Sequence, residues 1–113
     1  MLDVQGHRGA RGLWPENTLA GFARAMELGV SALELDCLVT RDGVVVVTHD
    51  PELNPDCTRD AAGSFLRSAG PPVFALSYQE LQSYDVGRLR PGSAYAARFP
   101  DPVSYTHLRA HET

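Results

Sequence analysis

The stretch that decides the fold is residues 32–38, Ala32-Leu33-Glu34-Leu35-Asp36-Cys37-Leu38. Its apolar and acidic residues alternate, which predicts a strand with both carboxylates on one face and apolar side chains on the other. The apolar face can pack under helices, while Glu34 and Asp36 face the axis of the fold near its rim. The stretch therefore predicts a strand that delivers two acidic groups to a site.

Two neighbouring apolar runs also end in polar pairs. Residues 2–5 lead through Gly6 into His7-Arg8, and residues 44–48 lead into His49-Asp50. A parallel α/β barrel builds its site in this way, from the C-terminal ends of successive strands. The pattern therefore predicts an α/β fold in which all three strand ends meet.

A helix is predicted between the first two strands. Pro15 with Asn17 or Thr18 indicates its start, and Gly29 indicates its end. The apolar stripe expected to pack on the sheet has helical spacing and consists of Leu19, Phe22, Ala23 and Met26.

The link between the second and third strands is short. A parallel crossover normally takes about a dozen residues, whereas residues 38–43 provide far fewer. Either an extended return joins the strands or Asp42-Gly43 closes a hairpin, and we expect the extended return. Beyond it, residues 50–76 are predicted to form a long rim loop. Ser77 and Glu80 then form a capping box that starts a short helix from Tyr78 to about Tyr84.

Length and composition exclude several classes of protein. The 113 residues allow at most one domain, and the net charge of −4 argues against a nucleic-acid-binding face. No run approaches the roughly 18 apolar residues of a membrane span. Residues 1–5 lack the basic and apolar regions of a secretory signal, so we expect a cytoplasmic protein. Cys37 and Cys57 are then expected to stay reduced.

The last eleven residues look foreign to the rest of the chain. Residues 103–113 are similar to a translated sequencing-library adapter, so we treat them as a non-native tail and assign no metal site to His107 and His111. Residues 1–102 are then expected to be the N-terminal portion of a longer gene product.

The two strand-end histidines are candidates for a general acid and a general base. Histidine exchanges protons near neutral pH, and cleavage of a diester needs a base for the attacking hydroxyl and an acid for the departing alcohol. The sequence does not assign the two roles between His7 and His49. Asp50 either orients His49 or begins the following turn.

The remaining candidates suit phosphate and a cation. The guanidinium of Arg8 offers a rigid fork of donors for phosphate oxygens. Glu34 and Asp36 present oxygens on one face, as Ca²⁺ or Mg²⁺ requires. Glu16 either joins the metal shell or orients Arg8, and Asn17 is either a helix cap or a site residue. Together these groups suggest metal-assisted phosphate chemistry.

With these residues in place, the chain resembles the glycerophosphodiester phosphodiesterases over residues 2 to about 90. The motifs that carry the resemblance are His7-Arg8-Gly9-Ala10, Pro15-Glu16-Asn17-Thr18, Glu34-Leu35-Asp36, Asp42-Gly43-x-x-Val46-Val47-x-His49-Asp50 and Asp85-Val86-Gly87. Each motif alone is weak, but their order and spacing are highly specific. The resemblance implies a TIM-like (β/α)8 barrel that hydrolyses glycerophosphodiesters to an alcohol and sn-glycerol 3-phosphate with a divalent cation, Ca²⁺ or Mg²⁺.

By position, the resemblance assigns acid/base roles to His7 and His49 and phosphate binding to Arg8. It makes Glu34 and Asp36 metal ligands, with Glu16 at a further site position. The family's third acidic ligand falls beyond residue 102, and a full barrel takes about 200 residues or more. We therefore expect the fragment to be incomplete, inactive and poorly stable.

Other functions remain open at this point. A phosphoinositide phospholipase C or a phospholipase D-like enzyme would share the barrel and the histidine pair. The polar, mixed-charge loops favour small soluble glycerophosphodiesters over intact lipids. A non-catalytic phosphate- or cation-binding module is the third alternative, although it would not require a second proton-transfer group.

Overall fold

The computed structural model describes residues 2–87, 89–94, 96–98 and 108–109. Its elements in chain order are β1 (Gln5–His7), α1 (Leu19–Glu27), β2 (Ala32–Glu34), β3 (Cys37–Val39), β4 (Val45–Val47), α2 (Tyr78–Leu81) and β5 (Leu108–Arg109). Two 3-10 turns, Val73–Ala75 and Ala96–Arg98, flank α2 in the sequence. Within this described part of the chain, no helix has the length and apolar content that crossing a membrane requires.

The first two strands and α1 form a parallel βαβ unit. β1 and β2 are hydrogen-bonded neighbours in parallel, with Gln5 opposite Ala32 and His7 opposite Glu34. This confirms the predicted parallel pairing. It also places one predicted histidine directly beside one predicted carboxylate, at the C-terminal ends of both strands.

The predicted extended return after the second strand is wrong. The predicted strand over residues 32–38 breaks after Glu34, and β3 pairs antiparallel with β4 as a hairpin. Gly43 closes the turn at φ +82°, a backbone conformation that suits glycine, and its N–H donates to the Thr40 carbonyl at 3.0 Å. So short a link can reverse the chain but cannot cross over the sheet.

The N-cap of helix α1 is one of the two residues that the sequence predicted. Thr18 is the N-cap, and its hydroxyl accepts from the Gly21 N–H at 3.0 Å. The buried face consists of Gly21, Phe22 and Ala25. The predicted stripe is therefore correct only at Phe22, because the helix packs against the glycine-lined turn after β1. A Cβ on Gly9 of that turn would lie 3.1 Å from the Phe22 ring.

A second packing centre lies between the hairpin and α2. Val46, Leu53, Val73 and Leu81 form its buried cluster, so the 50–76 loop contributes to the core as well as connecting elements. The predicted capping box is confirmed at Ser77 and Glu80, but α2 ends at Leu81 rather than near Tyr84.

The described part of the suspected tail pairs with the hairpin. β5 lies antiparallel to β4, with Leu108 opposite Val47 and Arg109 opposite Val46. Strand pairing does not test the origin of residues 103–113, which stays a prediction. His107 and His111 lie outside the described residues.

Candidate active site

The turn after β1 holds Arg8 in an unusual backbone conformation. Arg8 has φ +51°, which is uncommon for a residue with a Cβ. Its N–H donates to Glu34 Oε2 at 3.0 Å, and its carbonyl accepts from the Asn17 N–H at 2.9 Å. A Cβ on Gly6 would lie 2.3 Å from the Gly9 carbonyl oxygen. The tight turn thus depends on glycine. Its hydrogen bonds connect Arg8 to Glu34 of β2 and to Asn17 before α1.

The Arg8 guanidinium lies between two carboxylates. Its Nη1 donates to Glu16 Oε2 at 2.9 Å, and its Nε is 3.8 Å from Asp36 Oδ2. Arg11 Nε lies 3.4 Å from the other oxygen of Glu16. Of the two roles left open for Glu16, the contacts favour orienting Arg8. The fork retains donors for a phosphate oxygen, since it has five N–H groups in total.

The two predicted cation ligands both lie close to Arg8. Glu34 Oε2 is 3.8 Å from His7 Nε2 as well as accepting from the Arg8 backbone. Asp36 Oδ2 is buried and has no hydrogen-bond partner among the residues that the structure describes. An unsatisfied carboxylate oxygen is costly to bury, and a bound cation would satisfy it.

The fit to a cation is partial. Ca²⁺ takes about six to eight oxygen ligands and Mg²⁺ about six, and Glu34 and Asp36 provide carboxylates of the required type. The described part of the chain contains no group of three or more histidine, cysteine or acidic side chains close enough to hold a metal ion. The pair could therefore supply only one side of a coordination shell.

The second histidine is oriented by a carboxylate and an amide. His49 Nδ1 lies 2.7 Å from Asp50 Oδ1, and Asn54 Nδ2 donates to Asp50 Oδ2 at 3.0 Å. A carboxylate can only accept, so the ring proton is on Nδ1 and Nε2 is left to exchange protons with a ligand. Of the two roles predicted for Asp50, the contact supports orienting His49.

Asp50 is held in its charged form. Partial burial raises the pKa of its carboxyl, but the hydrogen bonds from His49 and Asn54, with the charges of His49 and Arg8, outweigh this effect and lower it below the ordinary value. Because the charge of Arg8 helps to lower the pKa of Asp50, Arg8 and the His49–Asp50 pair interact electrostatically. Asn54 was missed by the sequence analysis; an amide four residues after Asp50 in the same loop is the only signal that pointed to it.

Asn17 does not cap α1, which corrects one of its two predicted roles. It has φ +53° and lies in the turn before the Thr18 cap, with only 6% of its surface exposed. Its backbone supports Arg8 through the hydrogen bond described above. Its side-chain amide is buried without a hydrogen-bond partner among the described residues.

Cys57 is near the site but is not a nucleophile. Burial and then the charges of Glu16 and Asp50 raise the pKa of its thiol to about 12. The thiol therefore stays protonated at neutral pH, and thiolate chemistry is excluded at this position.

Comparison with known proteins assigns the family. Residues 7–109 match the Glycerophosphoryl diester phosphodiesterase family, and the chain belongs to it. A glycerophosphodiester phosphodiesterase from Caldanaerobacter subterraneus subsp. tengcongensis is 55% identical over 47 residues, which cover 42% of this chain and 19% of the relative. The human protein Lysophospholipase D GDPD1 is 51% identical over 47 residues, or 42% of this chain and 15% of that protein.

Solved structures extend the similarity to nearly the whole chain. A Silicibacter pomeroyi protein with the provisional name glycerophosphoryl diester phosphodiesterase matches with a TM-score of 0.86 and 44% identity, over 96% of this chain and 37% of that one. An Oleispira antarctica phosphodiesterase, solved with the product sn-glycerol-3-phosphate, matches with a TM-score of 0.63 and 27% identity, over 94% of this chain and 37% of its own. The chain thus spans little more than a third of these structures and a fifth or less of the two curated relatives. The predicted α/β class and family are confirmed.

Proposed function

We propose that a complete protein carrying residues 1–102 is a metal-dependent phosphodiesterase on a TIM-like barrel. It would hydrolyse glycerophosphodiesters to an alcohol and sn-glycerol 3-phosphate. The observation that carries the proposal is the position of the Arg8 guanidinium, held by Glu16 at 2.9 Å and lying 3.8 Å from the unsatisfied Asp36 oxygen. A guanidinium beside a carboxylate oxygen that has no hydrogen-bond partner is an arrangement that a phosphate and a cation can share.

The proposed division of labour follows from the contacts. Arg8 binds the phosphate, and Glu34 with Asp36 hold a Ca²⁺ or Mg²⁺ ion. When bound, the cation would neutralise phosphate charge and help to activate a hydroxyl or water. Glu16 holds the Arg8 fork in place, and the backbone of Asn17 supports the same turn.

His7 and His49 would exchange the protons of the reaction. Their side chains are 64% and 41% exposed, so each is open to a ligand. His49, with Nδ1 bonded to Asp50, presents Nε2 to the substrate. His7 presents a ring whose Nε2 lies 3.8 Å from Glu34 Oε2. One ring takes the proton of the attacking group and the other protonates the departing alkoxide.

We further propose that the 113-residue chain is inactive and poorly stable by itself. Several apolar side chains are exposed, including Leu33 at 37%, Val39 at 50% and Phe74 at 70%. Surfaces of this kind are normally covered by packing partners, and an open sheet edge is a site for unwanted pairing. A cooperative urea transition of the isolated chain would contradict this part of the proposal.

The activity is tested by release of glycerol 3-phosphate from glycerophosphocholine in the complete protein. We expect chelator to abolish turnover, excess Ca²⁺ or Mg²⁺ to restore it, and His49→Ala to reduce kcat by about 100-fold or more. Arg24→Gln, on the exposed side of α1, is the matched control and should leave kcat unchanged. Turnover insensitive to both chelator and His49→Ala would refute the proposal.

The same assay separates the alternatives. The human relative named as a lysophospholipase D makes lysophosphatidylcholine the second substrate to test, and phosphatidylinositol is the third. Preference for either lipid over glycerophosphocholine would favour the phospholipase D-like or phospholipase C function. Phosphate and cation binding without turnover of any substrate would favour the non-catalytic module.

A further inference from the structure

One carboxylate of the candidate site is in contact with two arginines. Glu16 Oε2 accepts from Arg8 Nη1 at 2.9 Å, and Glu16 Oε1 lies 3.4 Å from Arg11 Nε. The side chains of Arg8 and Glu16 are each 13% exposed, whereas that of Arg11 is 41% exposed. Arg8 binds phosphate in the proposed function and Glu16 holds Arg8, but Arg11 has no role there. Its contact with the second oxygen of Glu16 therefore calls for an explanation.

The loop between β1 and α1 places all three side chains. The Arg11 N–H donates to the His7 carbonyl at 3.1 Å, and the Arg8 carbonyl accepts from the Asn17 N–H at 2.9 Å. These backbone bonds fold the loop back on itself, and the loop thereby brings Glu16 beside both arginines. Arg8, Arg11 and Glu16 thus form one cluster within a single loop.

The second contact restricts the orientation of the Glu16 carboxylate. A glutamate carboxylate turns easily about its last side-chain bond, because that torsion has a broad energy minimum. With a partner on one oxygen only, the carboxylate could tilt and change the direction in which it holds the Arg8 guanidinium. A partner on each oxygen opposes this rotation, and a guanidinium suits such a contact because it is planar and rigid. The orientation of Arg8 therefore depends on Arg11 through Glu16.

We propose that Arg11 is a positioning residue for phosphate binding, which fixes the Glu16 carboxylate and thereby orients the Arg8 guanidinium. The inference rests on the proposed function, in which Arg8 binds the phosphate. Arg11 itself touches neither the phosphate nor the reacting atoms. Because Arg8 binds the phosphate before and during the reaction, its misalignment weakens binding of the substrate and of the transition state alike. Loss of Arg11 should then raise KM and leave kcat nearly unchanged.

The test is a double-mutant cycle in the complete protein, with calorimetric titration of sn-glycerol 3-phosphate as the measurement. The Oleispira antarctica relative was solved with this product, and binding of the product requires no turnover. Arg11→Met should raise Kd by about tenfold, as expected when a hydrogen bond to a charged group is weakened. In the Glu16→Gln background the same substitution should change Kd by less than about twofold, because the carboxylate through which Arg11 acts is gone. Equal losses in both backgrounds would overturn the proposal.

Arg24→Met is the matched control for the removal of an arginine. Arg24 lies 3.0 Å from Glu27 in an exposed pair on α1, so its loss should change Kd by less than about twofold. Turnover of glycerophosphocholine supplies a second readout. For Arg11→Met, KM should rise with Kd while kcat changes by less than about twofold. A fall in kcat at unchanged KM would overturn the proposal.

A salt series keeps the proposal testable if Glu16→Gln does not fold. At about 1 M KCl the Debye length is about 3 Å, so an effect of the Arg11 charge on the ligand through solvent would disappear. Positioning through the largely buried Glu16 should persist, and wild type should still bind about tenfold more tightly than Arg11→Met. Loss of this difference in high salt would show that Arg11 acts by its field alone and would overturn the proposal.

The outcomes separate the positioning role from the proposed function. Coupling of Arg11 to Glu16 in product binding, without turnover of glycerophosphocholine, would support the positioning role and refute the phosphodiesterase. Normal turnover with equal losses in both backgrounds would refute the positioning role and support the phosphodiesterase. A wild type that neither binds sn-glycerol 3-phosphate nor turns over the diester would refute both.

Discussion

Arg8 is anchored by Glu16, with Nη1 donating to Oε2 at 2.9 Å and each side chain only 13% exposed. An arginine held in this way keeps its fork in one orientation before any ligand arrives, which lowers the entropic cost of binding an anion. The surface pair Arg24–Glu27 has a similar separation of 3.0 Å, but its side chains are 51% and 64% exposed. The two pairs therefore differ in burial rather than in separation.

Removing Glu16 should cost much more stability than removing Glu27. We expect Glu16→Ala to lower the free energy of unfolding by about 3 kcal/mol, because it leaves the Arg8 charge buried without its main partner. Glu27→Ala should cost less than about 1 kcal/mol, as for exposed pairs. The measurement is the folded fraction of each variant as a function of trimethylamine N-oxide concentration. This osmolyte favours the folded state and so allows a poorly stable chain to be compared with its variants. Equal effects of the two substitutions would show that the Arg8 anchor contributes little.

The Asp50 carboxyl makes the free energy of unfolding depend on pH. Its folded-state pKa lies below the unfolded value of about 3.9. Its contribution is therefore fully present above that value and is lost as the pH falls through the lower folded-state pKa. We expect Asp50→Asn to reduce the loss of stability between about pH 5 and pH 2. An unchanged acid profile in Asp50→Asn would contradict the assignment.

Asn54 should act on Asp50 through its single hydrogen bond of 3.0 Å. Asn54→Ala removes a donor to the charged carboxylate, so the pKa of Asp50 should rise toward its ordinary value. Carboxyl ¹³C titration by NMR measures this change directly. Asn54→Asp is the contrasting variant, because a second negative charge should raise the pKa of Asp50 further than loss of the bond alone.

The two cysteines should differ in reactivity. Cys37 is exposed, whereas burial and nearby carboxylates raise the pKa of Cys57 to about 12. At pH 8 only about one Cys57 thiol in 10⁴ would be ionised, so iodoacetamide should label Cys37 and spare Cys57 in the chain folded by trimethylamine N-oxide. Mass spectrometry in the presence and absence of urea checks this. Both thiols should be labelled in urea, and rapid labelling of Cys57 without urea would contradict the placement.

Gly43 should be required for its backbone conformation alone. A Cβ at this position would meet nothing within 4 Å, yet the residue has φ +82°. Gly43→Ala should therefore cost about 1 kcal/mol of folding free energy from strain. Gly12 is the matched control, because it has equally open surroundings without a positive φ, and Gly12→Ala should be neutral or slightly stabilising.

The sequence predicted those parts of the fold that depend on local patterns. The βαβ unit, the Asp42-Gly43 turn and the Ser77–Glu80 capping box each follow from residues close together in the chain. The choice between extended return and hairpin could have been made from the sequence, because so short a link can reverse the chain but cannot cross over the sheet, and β3 pairs with β4 across it. The helix face was misjudged because it depends on packing against the turn after β1, which is distant in the sequence. Met26 has the spacing of a core residue but is 65% exposed. Phe22 and Ala25 are buried instead, because they pack against the glycines of the turn after β1.

The candidate site likewise contains residues that the sequence predicted and residues that it did not. His7, Arg8 and Glu34 lie at the strand ends that the sequence predicted. Asp36 lies near the same turn, although the predicted strand breaks before it. The roles of Glu16 and Asn17 could not be chosen in advance, because both depend on the left-handed backbone of Arg8 and Asn17, which composition does not reveal. Asn54 and Cys57 come from a loop of irregular structure, and only its folding brings them to Asp50.

The most direct test of the central claim is the kcat of single and double histidine variants of the complete protein on glycerophosphocholine. If His7 and His49 serve one reaction centre, His7→Ala, His49→Ala and the double variant should lose similar amounts of activity, because groups that act as a unit are strongly non-additive. Losses that multiply in the double variant, or normal turnover in either single variant, would contradict a shared centre.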